Sequence, residues 1–471
     1  RIMPVHLRNS QSENVSLIDG SVLVNKPFGS AMDALAGRPV HREVDRRFVY
    51  IDPRPDRFQS IKEEQGQPVG FFEAIFGSLS VIPREQPIRE NLDALDQQSR
   101  DAERLGQIVE GLRPEVDRVV EKLFGRTFFL DRPTPKRLKS WRDKAQQAAA
   151  ESAGYAFHSY AQAKFAGIIE RLGTLAFKAA PGLALPDCRA ISQELRAELG
   201  ARGLDTLSAK SGGASETAIE FFRTHDLGFR IRRLRLLTRR LTREWQVDPE
   251  IPEDALDLAR SEIYKILSLY LERDKHVATG SDFAHLANNV LAEPGRFLDF
   301  LAERRALPGV DNKAEGMLAE ALEQMPKPLR RRMLLTYLGF PFYDVTTLPL
   351  LRNEGLTEYD PVKVDRISPN DAQSIRPGST KFLLRGTEFY NFGAFFSRHY
   401  RENDYIWGRL HGAERMVDLI CSTLGTELEH SRCVHFKRDA FLAIIDEEME
   451  IGRVDKSLLE TIRAEIEQKV V

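Results

Sequence analysis

The sequence predicts a mainly α protein with a small α/β portion. Three observations carry this expectation. From about residue 88 onward, apolar residues recur at the helical period of about 3.6. A short apolar burst, Phe48-Val49-Tyr50-Ile51, is stopped by Asp52-Pro53 and reads as a buried strand. Residues 359–397 depart from the helical period and read as two or three strands.

The opening residues 1–60 combine a turn at Asp19-Gly20-Ser21, a helix-like stretch at Ser30–Ala36 and the strand at Phe48–Ile51. Residues 54–70 are rich in Pro, Gln, Gly and charge and make a linker. A helical domain is expected over 61–358. Its stripes include Leu92, Leu95, Ser99, Ala102 and Leu105, and then Leu256, Ala259, Ile263, Ile266 and Tyr270. Breakers separate the helices at Pro133-Thr134-Pro135, Pro181-Gly182, Gly212-Gly213, Pro252, Gly280-Ser281, Pro308-Gly309 and Pro326-Lys327-Pro328. In 359–397, Val362, Val364 and Ile367 alternate with charge, and Phe382–Leu384 and Phe389–Phe396 follow a Pro/Gly turn. Helices resume over 398–471, where Ile406, Leu410, Ala413, Val417 and Ile420 mark one face. The few apolar strands of 15–60 cannot cover both faces of a sheet, so 359–397 is expected to pack back onto them.

A chain of 471 residues is too long for one ordinary core and suggests two or three domains. Its formal net charge of −2 argues against a general nucleic-acid binder, which would favour a strong basic excess. Cys188, Cys421 and Cys433 fit neither a disulfide framework nor a Cys-x-x-Cys metal site, and read as thiols of a reducing, cytoplasmic compartment. No apolar run approaches the roughly 18 residues of a membrane span, and the first residues lack the apolar core of a signal peptide. The start at Arg1 is expected of a fragment, a processed product or a trimmed chain.

The most informative residues are Ile18-Asp19-Gly20-Ser21-Val22-Leu23-Val24-Asn25-Lys26-Pro27. An Asp at the end of a strand, followed by Gly, sits on a tight turn with its carboxylate facing a cleft. Gly20 permits backbone geometry that a Cβ would forbid. Asn25 can tie the loop by side-chain hydrogen bonds, and Pro27 can begin the next helix. Asp-Gly alone is also a common hairpin or cap signal. The whole pattern resembles the surroundings of the catalytic aspartate in patatin-like phospholipases.

Several later blocks resemble the longer bacterial patatin-related proteins: His41–Pro53, Ser99–Leu105, Tyr337–Asp344, Arg366–Ala372 and Phe392–His411. Many members carry Gly or Ala where Ser21 stands. The resemblance implies a Ser–Asp dyad, in which Asp19 takes the proton of a serine that attacks an ester carbonyl. It implies the remnant of a patatin-type α/β hydrolase domain followed by a large helical domain. The family's nucleophile sits in a Gly-x-Ser-x-Gly elbow, and no such pentapeptide occurs in the chain. The nearest, Gly213-Ala214-Ser215-Glu216-Thr217, lacks the closing glycine and follows the Asp instead of preceding it. Serine elbow and oxyanion loop are therefore expected upstream of Arg1, with a lipid or ester as the complete protein's substrate.

Residues 221–245 hold eight arginines against Asp226 and Glu244. Ile231, Leu234, Leu237 and Leu241 make one face, while Arg232, Arg235, Arg239 and Arg243 make another. One reading is peripheral contact with anionic lipid head groups. The other is a packed helix whose arginines pair with the chain's many carboxylates. Arg398–His411 mixes charge with aromatics and reads as a salt-bridge network rather than a second active site. The ten histidines show no metal spacing, and His430 and His435 beside Cys433 lack a fourth ligand. No metal and no cofactor is expected. The competing function is a non-catalytic helical scaffold or regulatory module that binds protein or membrane partners.

Overall fold

The computed structural model describes residues 47–52, 82–125, 133–209, 212–245, 248–277, 280–350, 363–378, 380–388, 393–423 and 430–470. These are mainly α-helical, with one small parallel sheet. Strand β1 (Arg47–Ile51) precedes a long helix, α1 (Ile82–Phe124). Next come α2 (Pro135–Ser152), α3 (Ala156–Ala179), α4 (Arg189–Leu199), α5 (Glu216–His225) and α6 (Leu227–Arg239). They are followed by α7 (Glu253–Leu271), α8 (Arg273–Val277), α9 (Ser281–Asn288), α10 (Pro294–Arg305), α11 (Leu307–Gln324) and α12 (Lys327–Thr347). Strand β2 (Lys363–Ile367) leads to the short helices α13 (Thr380–Leu383) and α14 (Gly393–Phe396). Last come α15 (Arg398–Cys421), α16 (His430–Ile451) and α17 (Lys456–Lys469).

The helix starts follow local chemistry. Thr134 accepts the Arg137 N–H at 3.3 Å, with Pro135 in the first turn of α2. Ser215 accepts the Ala218 N–H and starts α5, so the serine of the near-miss pentapeptide is a helix cap. Asp226 Oδ1 accepts the Phe229 N–H at 2.8 Å and starts α6. Pro308 falls in the first turn of α11, where its missing N–H costs nothing.

The chain divides into two compact units. The described residues of 100–361 form one of them. It holds two cores. One gathers Val116 and Val120 of α1, Leu234 and Leu237 of α6, Ile263 and Ile266 of α7, and Leu334 and Leu338 of α12. The other gathers Phe165 and Leu172 of α3, Leu195 of α4, Phe221 of α5, Phe283 of α9 and Phe297 of α10. The stripe Leu256, Ala259, Ile263, Ile266 and Tyr270 is wholly buried, as its period requires.

The described residues of 45–99 and 362–471 belong to the other unit. Here β1 and β2 run parallel, with Arg47 opposite Lys363 and Ile51 opposite Ile367. Arg47 pairs with Asp365 at 3.0 Å across the two strands. The strand at Phe48–Ile51 is present but is not buried as the sequence suggests: Val49 is 46 % and Ile51 70 % exposed. Among the described residues this sheet has only two strands, too few to cover its own faces. The core of this unit gathers Ile406, Trp407 and Leu410 of α15, Phe441 and Ile445 of α16, and Ile462 and Ile466 of α17.

Two stretches that the sequence marks as strands are helical turns instead. Thr380–Leu383 and Gly393–Phe396 are helices, while residues 389–392 lie outside the described residues. The first is started by Asn370, whose Oδ1 accepts the Thr380 N–H at 3.2 Å and its hydroxyl at 2.9 Å. That side chain supplies locally what a strand partner would otherwise supply. The α15 stripe also departs from its apolar pattern. Ile420 is 59 % exposed, and the buried face turns to His411 and Glu414. Glu414 can be buried there because the backbone N–H groups of Gln373 and Ser374 donate to it.

Candidate functional site

Asp19, Gly20, Ser21, Asn25 and Pro27, which the sequence selects as catalytic base and loop support, lie outside the described residues. The arginine-rich helix lies within them. Arg230, Arg232, Arg233, Arg235 and Arg240 are all buried, at 1–6 % exposure. Arg239 is half-buried and Arg243 exposed. Arg232 and Arg235 are thus placed in the interior, and the expectation that they meet a lipid surface is corrected. The physical reason is that α6 is surrounded, and carboxylates from other helices meet Arg230 and Arg232.

The pairs form a network through the unit of residues 100–361. Arg232 donates from Nε to Asp344 Oδ1 at 2.8 Å and from Nη2 to Oδ2 at 3.1 Å. The Tyr160 hydroxyl donates to the same carboxylate at 2.8 Å. One turn along α3, Lys164 Nζ lies 2.7 Å from Asp226 Oδ2 and 3.1 Å from the Tyr160 oxygen. Arg230 grips Asp311 of α11 with two bonds of 2.7 and 2.6 Å, and the Tyr270 hydroxyl donates to Asp311 at 2.8 Å. Arg230 also donates to the carbonyls of Asp226 and Arg223, satisfying backbone acceptors at the C-terminal end of α5. Arg142 of α2 pairs with Glu315 of α11. Arg240 donates to Thr336 at 2.7 Å and to the Tyr343 hydroxyl at 3.1 Å. Arg233 stacks over the Tyr337 ring at 4.2 Å.

Electrostatics follow from burial and these partners. Burial alone would raise Asp226 and Asp311, but Lys164 and Arg232 beside the first, and Arg230 beside the second, hold both below the ordinary carboxylate range. Burial pushes the Tyr160 and Tyr270 phenols far up, and the neighbouring carboxylates add to the effect. Phenols that stay protonated and carboxylates that are already occupied leave no free base in this network. Its chemistry is clamping: α2, α3, α6, α7, α11 and α12 are tied through charge.

A second cluster lies in the other unit and has no signal in the sequence. Ser374 donates from Oγ to Glu414 at 2.6 Å and from its N–H at 3.1 Å. Lys437 Nζ lies 3.4 Å from Ser374 Oγ and 2.7 Å from Asp418. Asp404 likewise takes the N–H groups of Arg385 and Gly386 at 2.8 and 2.7 Å. In Arg398–His411, Arg398 pairs with Glu402, and Arg409 with Glu447 and Glu448. This is the salt-bridge reading of that stretch. A family model described as a protein of unknown function (DUF3376) matches residues 306–467. No curated protein and no solved structure matches the chain. The matched region carries Asp311, Glu315 and Asp344 of the buried network and the whole Ser374–Glu414–Lys437 cluster. Among the described residues, no group of three or more metal-ligating side chains stands together. No helix among them is long and apolar enough to cross a membrane.

Proposed function

We propose that the chain serves a patatin-like lipid acyl hydrolase, with Asp19 as the base of a Ser–Asp dyad and a lipid ester as substrate. The observation that carries this is the pattern Ile18–Pro27, with Asp19-Gly20 at its turn and Asn25-x-Pro27 behind it. Support comes from the segment that follows, since Arg47–Ile51 is a strand in a parallel pair. Parallel strands need long crossovers and belong to α/β layers. No Gly-x-Ser-x-Gly occurs within Arg1–Val471, so the serine comes from a segment outside these residues. Residues 1–471 alone turn over no ester. A cytoplasmic site of action at an anionic membrane surface fits the same reading, with Arg243 as the exposed arginine of its set.

The second reading, a non-catalytic helical scaffold, is favoured by the buried ion-pair network, which ties helices together and offers no free base. One experiment separates the two. The protein expressed from its complete reading frame is treated with a fluorophosphonate probe and assayed on a short-chain ester. The first reading expects probe labelling, turnover, and a loss of about 10²-fold or more in Asp19→Asn, the lower end of general-base effects. No labelling and no turnover would overturn it in favour of the scaffold.

A further inference from the structure

The antiparallel pair α15 and α16 is held by a regular series of polar rungs. Arg409, midway along α15, pairs with Glu447 at 2.5 Å. Lys437 pairs with Asp418 at 2.7 Å two turns and more along α15. One further turn toward the connection, the next residues facing each other are Cys421, the last of α15, and Cys433, in the first turn of α16. The two thiols stand near enough for each to act on the other's charge, and both residues are only partly buried.

We propose that Cys421 and Cys433 are a reversible dithiol–disulfide pair that locks the α15–α16 hairpin when a small-molecule disulfide is the oxidant. The positions suit this chemistry. The Lys437–Asp418 rung one turn away holds the two helices together beside the cysteines, and both cysteines sit at helix ends, where the backbone yields most easily to the geometry of a disulfide. Partial exposure admits the oxidant. The step balances: a Cys433 thiolate attacks the small disulfide and displaces one thiol. Cys421 then loses its proton, attacks the mixed disulfide and displaces the second. Two protein thiols and one small disulfide become one protein disulfide and two small thiols. Burial, then the Cys433 sulfur and Asp418, push the Cys421 thiol up to about 11, which assigns it the resolving role. Cys188 lies in the other unit and serves as an internal comparison.

The test uses the intact chain with oxidised glutathione, followed by alkylation and trypsin. Cleavage after Arg415, Arg432 and Lys437 places the two cysteines on separate segments, 416–432 and 433–437. The expected result is one joined species, two hydrogens lighter than the sum, which dithiothreitol separates. It forms roughly ten-fold or more faster in the folded chain than in urea, because the fold holds the thiols together. The thermal midpoint rises by several degrees on oxidation. Cys421→Ser and Cys433→Ser each abolish the joined species. Overturning results are both segments alkylated separately under conditions that oxidise Cys188, joining only in covalent dimers, or equal rates in buffer and urea.

Discussion

Arg232 and Asp344 meet in the interior of the helical unit through two parallel bonds, and each side chain is 5 % exposed or less. A buried pair of this kind adds little over an apolar pair, yet breaking it strands a charge. Asp344→Ala leaves Arg232 unpaired and also removes the acceptor of Tyr160. We expect a loss of about 3–5 kcal/mol in denaturant unfolding. The double replacement Arg232→Met with Asp344→Leu restores most of it. A single variant within about 0.5 kcal/mol of the parent would contradict this account of the interior.

Gly339 is a close contact of α12 with α1. A Cβ there would stand 2.6 Å from Val116 Cγ1, with Val120 also in reach. Both valines are buried, at 5 % exposure or less, so neither can swing away. Gly339→Ala is expected to destabilise by about 1–3 kcal/mol through overpacking, although alanine is the better helix former. Val116→Ala in the same chain makes room and should recover part of the loss. Additive losses in the double variant would show that the two positions do not touch.

The limits of sequence reading follow from where each signal's partner lies. The stripe of α7 is legible because its five residues sit at helical spacing and meet the core as one face. The arginines of α6 are legible as charge but not as interior residues. Their partners, Asp311 and Asp344, are 81 and 112 residues away, and only the tertiary fold brings them close. The helical turn at Thr380 is hidden for the same reason, since its cap is Asn370. Ser374 and Glu414 carry no motif, and their pairing depends on a loop reaching α15 across 40 residues of chain. The pattern at Asp19 is local and therefore readable, but it lies outside the described residues.

Burial pushes His411 down to about 4, and the Trp407 ring lies 5.3 Å from its own. The unfolded chain binds a proton there near pH 6.5, and the folded chain refuses it until about pH 4. Stability is therefore lost as pH falls from 6.5 to 4, by about 3 kcal/mol for this group, and no further below. His225, pushed down to about 3 by burial and then by Arg305, acts in the same direction in the other unit. In His411→Gln the slope of unfolding free energy over this window should flatten by about one proton. An unchanged slope, or an imidazole titrating near 6.5 in the folded protein, would refute the assignment.

The β1–β2 ladder has a direction that can be tested. The Asp52 N–H donates to the Ile367 carbonyl at 2.9 Å, next to the partners Ile51 and Ile367. In a parallel pair the N–H groups of alternate residues face the partner strand. The amide of Tyr50 therefore points to β2, and those of Val49 and Ile51 point away. Proline removes the N–H, so Tyr50→Pro breaks a ladder bond while Val49→Pro does not. Alanine at each position supplies the control for the lost side chain. Relative to alanine, Tyr50→Pro should cost about 1–3 kcal/mol, the range for a lost hydrogen bond that strands its acceptor. Val49→Pro relative to Val49→Ala should cost clearly less, apart from the restriction proline places on the residue before it. Hydrogen exchange gives the second readout: the amides of β2 lose protection in Tyr50→Pro and keep it in Val49→Pro. Equal losses in the two variants would mean that the strands do not pair in this register, and the parallel layer that supports the hydrolase reading would lose its footing.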